Sequence, residues 1–87
     1  MPHPLHDPRY QKLAELLLRE RKGLGLLQGE LAEKLNKPQS FVSKYESGVR
    51  RLDMIELLEV LAALGVKPHV FLDKVLDELH AQGRMKR

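Results

Sequence analysis

The side chains of this sequence that are best suited to chemistry lie in the short segment QSFVSK, which begins at Gln39. Its amide, hydroxyl and ammonium groups can hydrogen-bond the edges of bases and the oxygens of phosphates. These polar positions share one side of a helix, whereas Val42 and Tyr45 point the other way. The segment therefore predicts a helix that contacts bases through Gln39, Ser40, Ser43 and Lys44.

The residues before this segment predict another short helix, from about Gln28 to Leu35. Leu31 faces inward in that helix, and Ala32 is small enough for two helices to cross closely. Asn36 follows, and it tolerates the positive φ that a tight turn requires. Two helices joined in this way form a helix-turn-helix, whose second helix, here about Gln39 to Ser47, enters the major groove of DNA.

The rest of the chain predicts three further helices, and hence an all-α fold with five helices. The first begins with Asp7 as its N-cap and a proline at the first helical position, runs to about Lys22 and is ended by Gly23 and Gly25. Asp53 and Glu56 form a capping box at the start of the fourth, and Pro68 opens the fifth. The sequence contains no stretch that alternates as a half-buried strand does.

Apolar residues at helical spacing predict which face each of these three helices buries. In the first helix they are Tyr10, Leu13, Ala14, Leu17 and Leu18. In the fourth helix they are Ile55, Leu58, Leu61 and Ala62. The fifth helix has a wide stripe, part of which is expected in the core and part in a dimer interface, made of Phe71, Leu72, Val75, Leu76 and Leu79.

Length and composition limit the protein to one small domain. Of its 87 residues 43% are hydrophobic, which is enough to fold. We place the domain at residues 8–80, between a flexible segment at 1–7 and a basic, disordered tail at 81–87. The absence of cysteine excludes disulfides and Cys-ligated zinc, and no apolar run is long enough to span a bilayer. A cytoplasmic location is expected.

Charge is distributed unevenly along the chain. Residues 1–51 contain ten Lys or Arg and six Asp or Glu, whereas residues 52–80 contain two and six. A basic first half that also carries the helix-turn-helix suits a surface that faces phosphates. Within it Lys37, Arg50 and Arg51 are predicted to contact the DNA backbone, which adds affinity without reading sequence.

The stretch from about Leu13 to Leu72 resembles the Cro/C1-type helix-turn-helix family, also called the xenobiotic-response-element family. The resemblance rests on a basic end of the first helix, the pattern QGELA, a Ser-rich recognition helix, the pattern ESG and an apolar helix that closes in LGV. It implies a compact, lambda-repressor-like domain with the helix-turn-helix at helices 2 and 3. It also implies a DNA-binding transcriptional regulator, usually a homodimer on a palindromic operator.

The resemblance assigns roles to individual residues. Gln39, Ser40 and Lys44 match base-contacting positions of the family. Gln28 and Ser47 match positions that contact the DNA backbone, and Arg21 and Glu46 match a structural ion pair between the first and third helices. The chain departs from the family at Leu27, where a Ser or Thr usually caps the second helix, at Lys37, where an apolar turn residue is common, and at Phe41, which is expected to be partly exposed.

Other functions are weighed against DNA-binding repression. One alternative is an antitoxin that binds a protein toxin as well as DNA, and a weaker one is an adaptor that has lost DNA binding. The four histidines do not have the spacing of a four-ligand zinc site, so no metal and no cofactor is expected. A nucleophile elbow and a phosphate-binding glycine loop are both missing from the sequence, which predicts that the protein is not an enzyme.

Overall fold

The computed structural model describes residues 7–81 and Gly83. It consists of five helices that confirm the predicted all-α fold: α1 (Pro8–Gly23), α2 (Gln28–Leu35), α3 (Gln39–Ser47), α4 (Met54–Leu64) and α5 (Pro68–Ala81). Of the two terminal segments predicted to be flexible or disordered, residues 1–6, 82 and 84–87 lie outside the described part. Asp7 and Ala81 belong instead to the ordered domain, as the N-cap of α1 and the last residue of α5.

Local hydrogen bonds explain where the helices begin. The Asp7 carboxylate accepts the backbone N–H of Arg9 at 2.8 Å. Asp53 and Glu56 form the predicted capping box at α4, with bonds of 2.7 and 3.0 Å. At α2 only half of a box is present, because the Glu30 carboxylate accepts the backbone N–H of Leu27 at 2.8 Å while the Leu27 side chain offers no acceptor.

The turn between α2 and α3 follows the sequence prediction. Asn36 has a φ of 56° and ends α2 in the left-handed conformation. The backbone N–H of Lys37 then donates to the carbonyl of Ala32 at 3.0 Å, which gives a carbonyl in the last turn of α2 a hydrogen-bond donor. Ala32 and Leu31 are buried, so the two helices cross closely as expected.

A single core joins all five helices. Its members are Leu16, Leu17, Leu31, Ala32, Val42, Tyr45, Leu57, Val60, Leu61, Leu64, Phe71, Val75 and Leu79. In α1 the predicted Ala14 and Leu17 are buried and Leu13 packs against the core. Leu16, which was not predicted, is buried as well, whereas Tyr10 and Leu18 are only half-buried.

The predicted inward face of α4 is wrong except at Leu61. Ile55 is 66% exposed, and Leu58 and Ala62 are exposed too. The core instead receives Leu57, Val60, Leu61 and Leu64. The sequence MIELLEVLAAL has apolar residues on nearly every side of the helix, so periodicity alone does not define its buried face.

The end of α3 depends on Gly48, and this gives a testable prediction. Gly48 has a φ of 84°, and the Gln11 side-chain amide lies where a Cβ atom would be. We expect Gly48→Ala to lower the free energy of unfolding by about 1–2 kcal/mol in urea titrations, because alanine strains this backbone and displaces Gln11. Gly23→Ala is the matched control: no atom lies near its added methyl group, and it should be neutral or slightly stabilising.

Candidate nucleic-acid interface

Helix α3 has one apolar face in the core and one polar face in solvent. Val42 and Tyr45 are fully buried. The five polar side chains of the opposite face are all exposed: Gln39, Ser40, Ser43, Lys44 and Ser47. The first four are those predicted to contact bases, and the structure places them together. Ser47 donates its hydroxyl to the carbonyl of Lys44 at 3.1 Å, which leaves its oxygen able to accept another bond.

A buried ion pair attaches this helix to the first one. Arg21 Nε lies 2.7 Å from Glu46 Oε2, and Arg21 Nη2 lies 2.9 Å from Glu46 Oε1, so the pair is bidentate. The remaining Nη1 donates to the carbonyl of Leu26 at 2.7 Å. The two side chains are only 8% and 2% exposed. The bonds from Glu46 raise the pKa of Arg21 above its usual value, and the predicted structural pair is present.

Gln28 links this ion pair to Gln39, the first residue of α3. Its amide Nε2 donates to Glu46 Oε1 at 2.9 Å, and its Oε1 accepts Gln39 Nε2 at 3.4 Å. Both polar ends of Gln28 are thus occupied within the protein. Arg21, Gln28 and Gln39 line an open cleft of about 570 Å³ at the N-terminus of α2. Backbone N–H groups at a helix N-terminus attract a phosphate, so the phosphate contact predicted for Gln28 is compatible with this cleft.

The loop after α3 is fixed by a second set of contacts. The Arg50 guanidinium makes a bidentate pair with Glu56, at 3.0 and 2.6 Å. It also lies 4.9 Å from the centre of the Phe41 ring, and Lys37 Nζ lies 5.5 Å from the same centre. The bonds from Arg50 and from the backbone of Asp53 hold the pKa of Glu56 below its usual value, so this carboxylate is charged at neutral pH.

The Tyr10 hydroxyl also fixes this loop through two hydrogen bonds. It donates to the carbonyl of Arg50 at 2.9 Å and accepts the backbone N–H of Leu52 at 3.2 Å. Arg51 lies 5.7 Å from the Tyr10 ring centre and 3.5 Å from the Asp7 carboxylate. The two arginines predicted to contact DNA backbone are thus both engaged with acidic side chains. The sequence did not indicate these contacts, because no helical spacing links Arg50 to Glu56 or Arg51 to Asp7.

Tyr45 combines full burial with an unpaired hydroxyl. The hydroxyl oxygen is buried and makes no hydrogen bond with the residues that the structure describes. Burial raises the pKa of Tyr45 well above its usual value, so the side chain is neutral. An unpaired buried hydroxyl costs about 1–3 kcal/mol. The ring compensates through packing, including an edge-on contact with Phe41 whose ring centres are 5.6 Å apart.

The residues of α5 predicted for a dimer interface fall into a buried group and an exposed group. Phe71, Val75 and Leu79 are buried in the core, so they are not free to contact a second chain. Leu72 and Leu76 are 38% and 41% exposed and remain candidates. Within residues 7–81 and Gly83 no group of three or more His, Asp or Glu side chains could hold a metal ion. None of the described helices is long and apolar enough to cross a membrane.

Comparisons with known proteins agree with this geometry. The profile of the Helix-turn-helix family matches residues 17–71. The XRE-family like protein from Pseudomonas syringae pv. tomato str. DC3000 is 45% identical; the match covers 84% of this chain and 89% of that one, with a TM-score of 0.78. No curated protein sequence matches the chain.

A restriction-modification controller protein, C.Esp1396I, has the same fold. Its wild-type structure is 24% identical, with 87% of this chain and 99% of that chain covered and a TM-score of 0.80. Its tetramer, solved in complex with its natural 35 base-pair operator, is also 24% identical and gives a TM-score of 0.79 over 85% of this chain and 97% of that one.

Proposed function

Because this chain belongs to the Cro/C1-type, or XRE, family of helix-turn-helix DNA-binding regulators, we propose that it binds a specific operator by inserting α3 into the major groove. The observation that carries this proposal is the two-sided character of α3. Its inner face is fixed by Val42, Tyr45 and the Arg21–Glu46 pair, and its outer face is polar throughout. A rigid helix with Gln39, Ser40, Ser43 and Lys44 on one side is suited to reading base edges.

The proposed contacts with the DNA backbone flank that helix. Gln28 and the N-terminus of α2 lie on one side, with Lys37, Ser47, Arg50 and Arg51 as the other candidates. Lys37, Ser47 and Arg51 are exposed. Arg50 is paired with Glu56, so its contact with phosphate requires that pair to open. These contacts would set the affinity and the salt dependence, and the α3 side chains would set the sequence preference.

The proposal also includes a homodimer on a palindromic operator, which occludes a promoter and thereby represses transcription. A second copy of the chain is the partner that we assign to four exposed apolar residues on the surface of α4 and α5: Ile55, Leu58, Leu72 and Leu76. These two helices are joined by only three residues, Gly65–Lys67, so one chain presents both. A protein with this fold, C.Esp1396I, is a tetramer in complex with its natural operator, so several copies of this fold can assemble on one operator.

A substitution on this surface tests the dimer. Leu76→Asp should raise the dissociation constant of the dimer at least about tenfold, because association would bury a carboxylate among leucines. Sedimentation velocity over a dilution series measures it. Leu76→Met keeps an apolar side chain and should remain dimeric. A monomeric wild-type protein, or a Leu76→Asp variant that dimerises as the wild type does, would reject this interface.

The experiment that tests the proposed function is fluorescence anisotropy at about 0.15 M salt. Labelled duplex DNA from upstream of the gene is compared with a scrambled duplex of the same composition. Tighter binding of the upstream duplex, with two chains per site, is the expected result. Equal and weak binding of both, lost as the salt concentration rises, would mean electrostatic attraction only, and sequence-specific recognition of that DNA would be rejected.

The antitoxin alternative has a different requirement, a protein toxin that binds this chain. None of the relatives described above is an antitoxin by its description, so this alternative remains a prediction from the sequence. A stable complex with the product of a neighbouring gene on co-purification would favour it, and it would not conflict with operator binding.

A further inference from the structure

We propose that Glu56 lowers the affinity for DNA by holding Arg50 in place of a DNA phosphate, so that DNA binding exchanges a carboxylate for a phosphate at this arginine. This inference rests on the proposed function, because it needs a DNA backbone beside α3. It goes beyond that function in assigning control of affinity and salt dependence to an acidic residue that touches neither bases nor phosphates.

The geometry of Arg50 matches phosphate recognition. Both terminal nitrogens point at the two oxygens of one carboxylate, at 3.0 and 2.6 Å. The same forked arrangement binds two oxygens of a phosphate. The Arg50 side chain is 41% exposed, whereas that of Glu56 is 17% exposed. The arginine is therefore accessible to a ligand from solvent, and its carboxylate partner lies behind it.

The position of Arg50 places it beside the reading helix. Its backbone N–H caps α3 by donating to the carbonyl of Lys44 at 3.2 Å, and its guanidinium lies over the ring of Phe41, a residue of α3. The Lys37 ammonium also lies over the Phe41 ring. Two cations and one carboxylate are thus gathered at one flank of the helix that enters the groove, where the backbone of a duplex runs.

Glu56 is held in place independently of Arg50. Its Oε1 accepts the backbone N–H of Asp53 at 3.0 Å, as part of the box that begins α4. The carboxylate therefore cannot swing away at low cost when DNA approaches. It neutralises Arg50 in the free protein, and it repels phosphates that come close. The cost of opening the pair is the same for operator and nonspecific DNA, so it lowers both affinities by a similar factor.

The test is the affinity of Glu56→Gln for a scrambled duplex of roughly 30 base pairs, long enough for two half-sites one helical turn apart. Glutamine keeps the oxygen that caps Asp53 but loses the charge that pairs with Arg50. We expect binding of the scrambled duplex to tighten about fivefold or more, and the slope of log affinity against log salt to steepen by about one phosphate contact per chain. Binding of the upstream duplex should tighten by a similar factor, because the same pair opens in both complexes.

Two controls separate this role from a general charge effect. Glu59→Gln removes the same charge from an exposed residue of the same helix and should tighten binding far less. Arg50→Gln combined with Glu56→Gln should lose the gain. The inference is overturned if Glu56→Gln, folded by circular dichroism, binds the scrambled duplex no more tightly than Glu59→Gln does. A wild-type protein without preference for any upstream duplex would instead reject the proposed function, which the wild-type titration reports separately.

Discussion

Arg21→Ala is expected to lower the free energy of unfolding by about 3–5 kcal/mol, the largest effect of any substitution considered for this protein. The Glu46 side chain is 2% exposed, and without Arg21 the side-chain donor left to it among the described residues is the neutral amide of Gln28, which leaves its charge uncompensated. The carbonyl of Leu26 would lose its donor as well. Since domains of this size are stable by about 5–15 kcal/mol, the variant should be close to unfolding in buffer, as urea titrations followed by circular dichroism would show.

An exposed ion pair provides the control for Arg21. Lys74 Nζ lies 2.9 Å from Glu20 Oε2, but its side chain is 52% exposed, and Lys74→Ala should cost less than about 1 kcal/mol. Replacing both Arg21 and Glu46 by alanine should cost less than the sum of the two single changes, because no unpaired charge remains. If Arg21→Ala were no more destabilising than Lys74→Ala, the pair would not anchor α3.

Several helix boundaries could be predicted because they are set by local chemical signals. Asp7 and Asp53 cap the following helices with their own side chains, and Asn36 and Gly48 occupy the left-handed conformation at helix ends. Such signals act within a few residues and do not depend on the rest of the fold. Leu27 lacks such a signal, because it is 69% exposed and its side chain cannot cap a helix. The start of α2 relies instead on the bond from the Leu27 backbone N–H to the Glu30 carboxylate.

The rotation of α4 could not be predicted, because it is set by packing rather than by the helix itself. Leucines, valine and isoleucine occur on several sides of this helix, and only contact with the other helices selects Leu57, Val60 and Leu64 for the core. The sequence prediction places Ile55 and Leu58 in the core, whereas the structure exposes both to solvent. Those residues then supply the apolar surface that the proposed dimer needs.

The site was partly predictable for a related reason. The polar face of α3 follows from helical periodicity, and Arg21–Glu46 follows from the family resemblance. The pair of Arg50 with Glu56 crosses a loop, and the bond of Gln28 to Glu46 crosses between helices. Neither is encoded by regular spacing. These two contacts determine which polar side chains are already paired within the protein, and only the three-dimensional structure reveals them.

Lys44→Ala is the substitution with the largest expected effect on recognition. We expect it to weaken operator binding by about 1–3 kcal/mol and to relax the preference at one base pair, because the lysine ammonium can donate to both O6 and N7 of guanine. Lys44 is exposed on the outward face of α3, so its removal should leave the fold intact. Anisotropy with a panel of operator duplexes, each changed at one base pair, measures both affinity and preference.

The two parts of this expectation separate a base contact from a general attraction to DNA. If Lys44 contacted only phosphates, its removal would weaken the binding of every duplex equally and lower the salt slope without altering base preference. Lys34→Ala is the matched control, since it removes the same charge from the exposed last turn of α2 and should leave the preference unchanged. Equal losses for all duplexes in Lys44→Ala would move this residue from the base contacts to the backbone contacts. The reading of sequence would then depend on Gln39, Ser40 and Ser43.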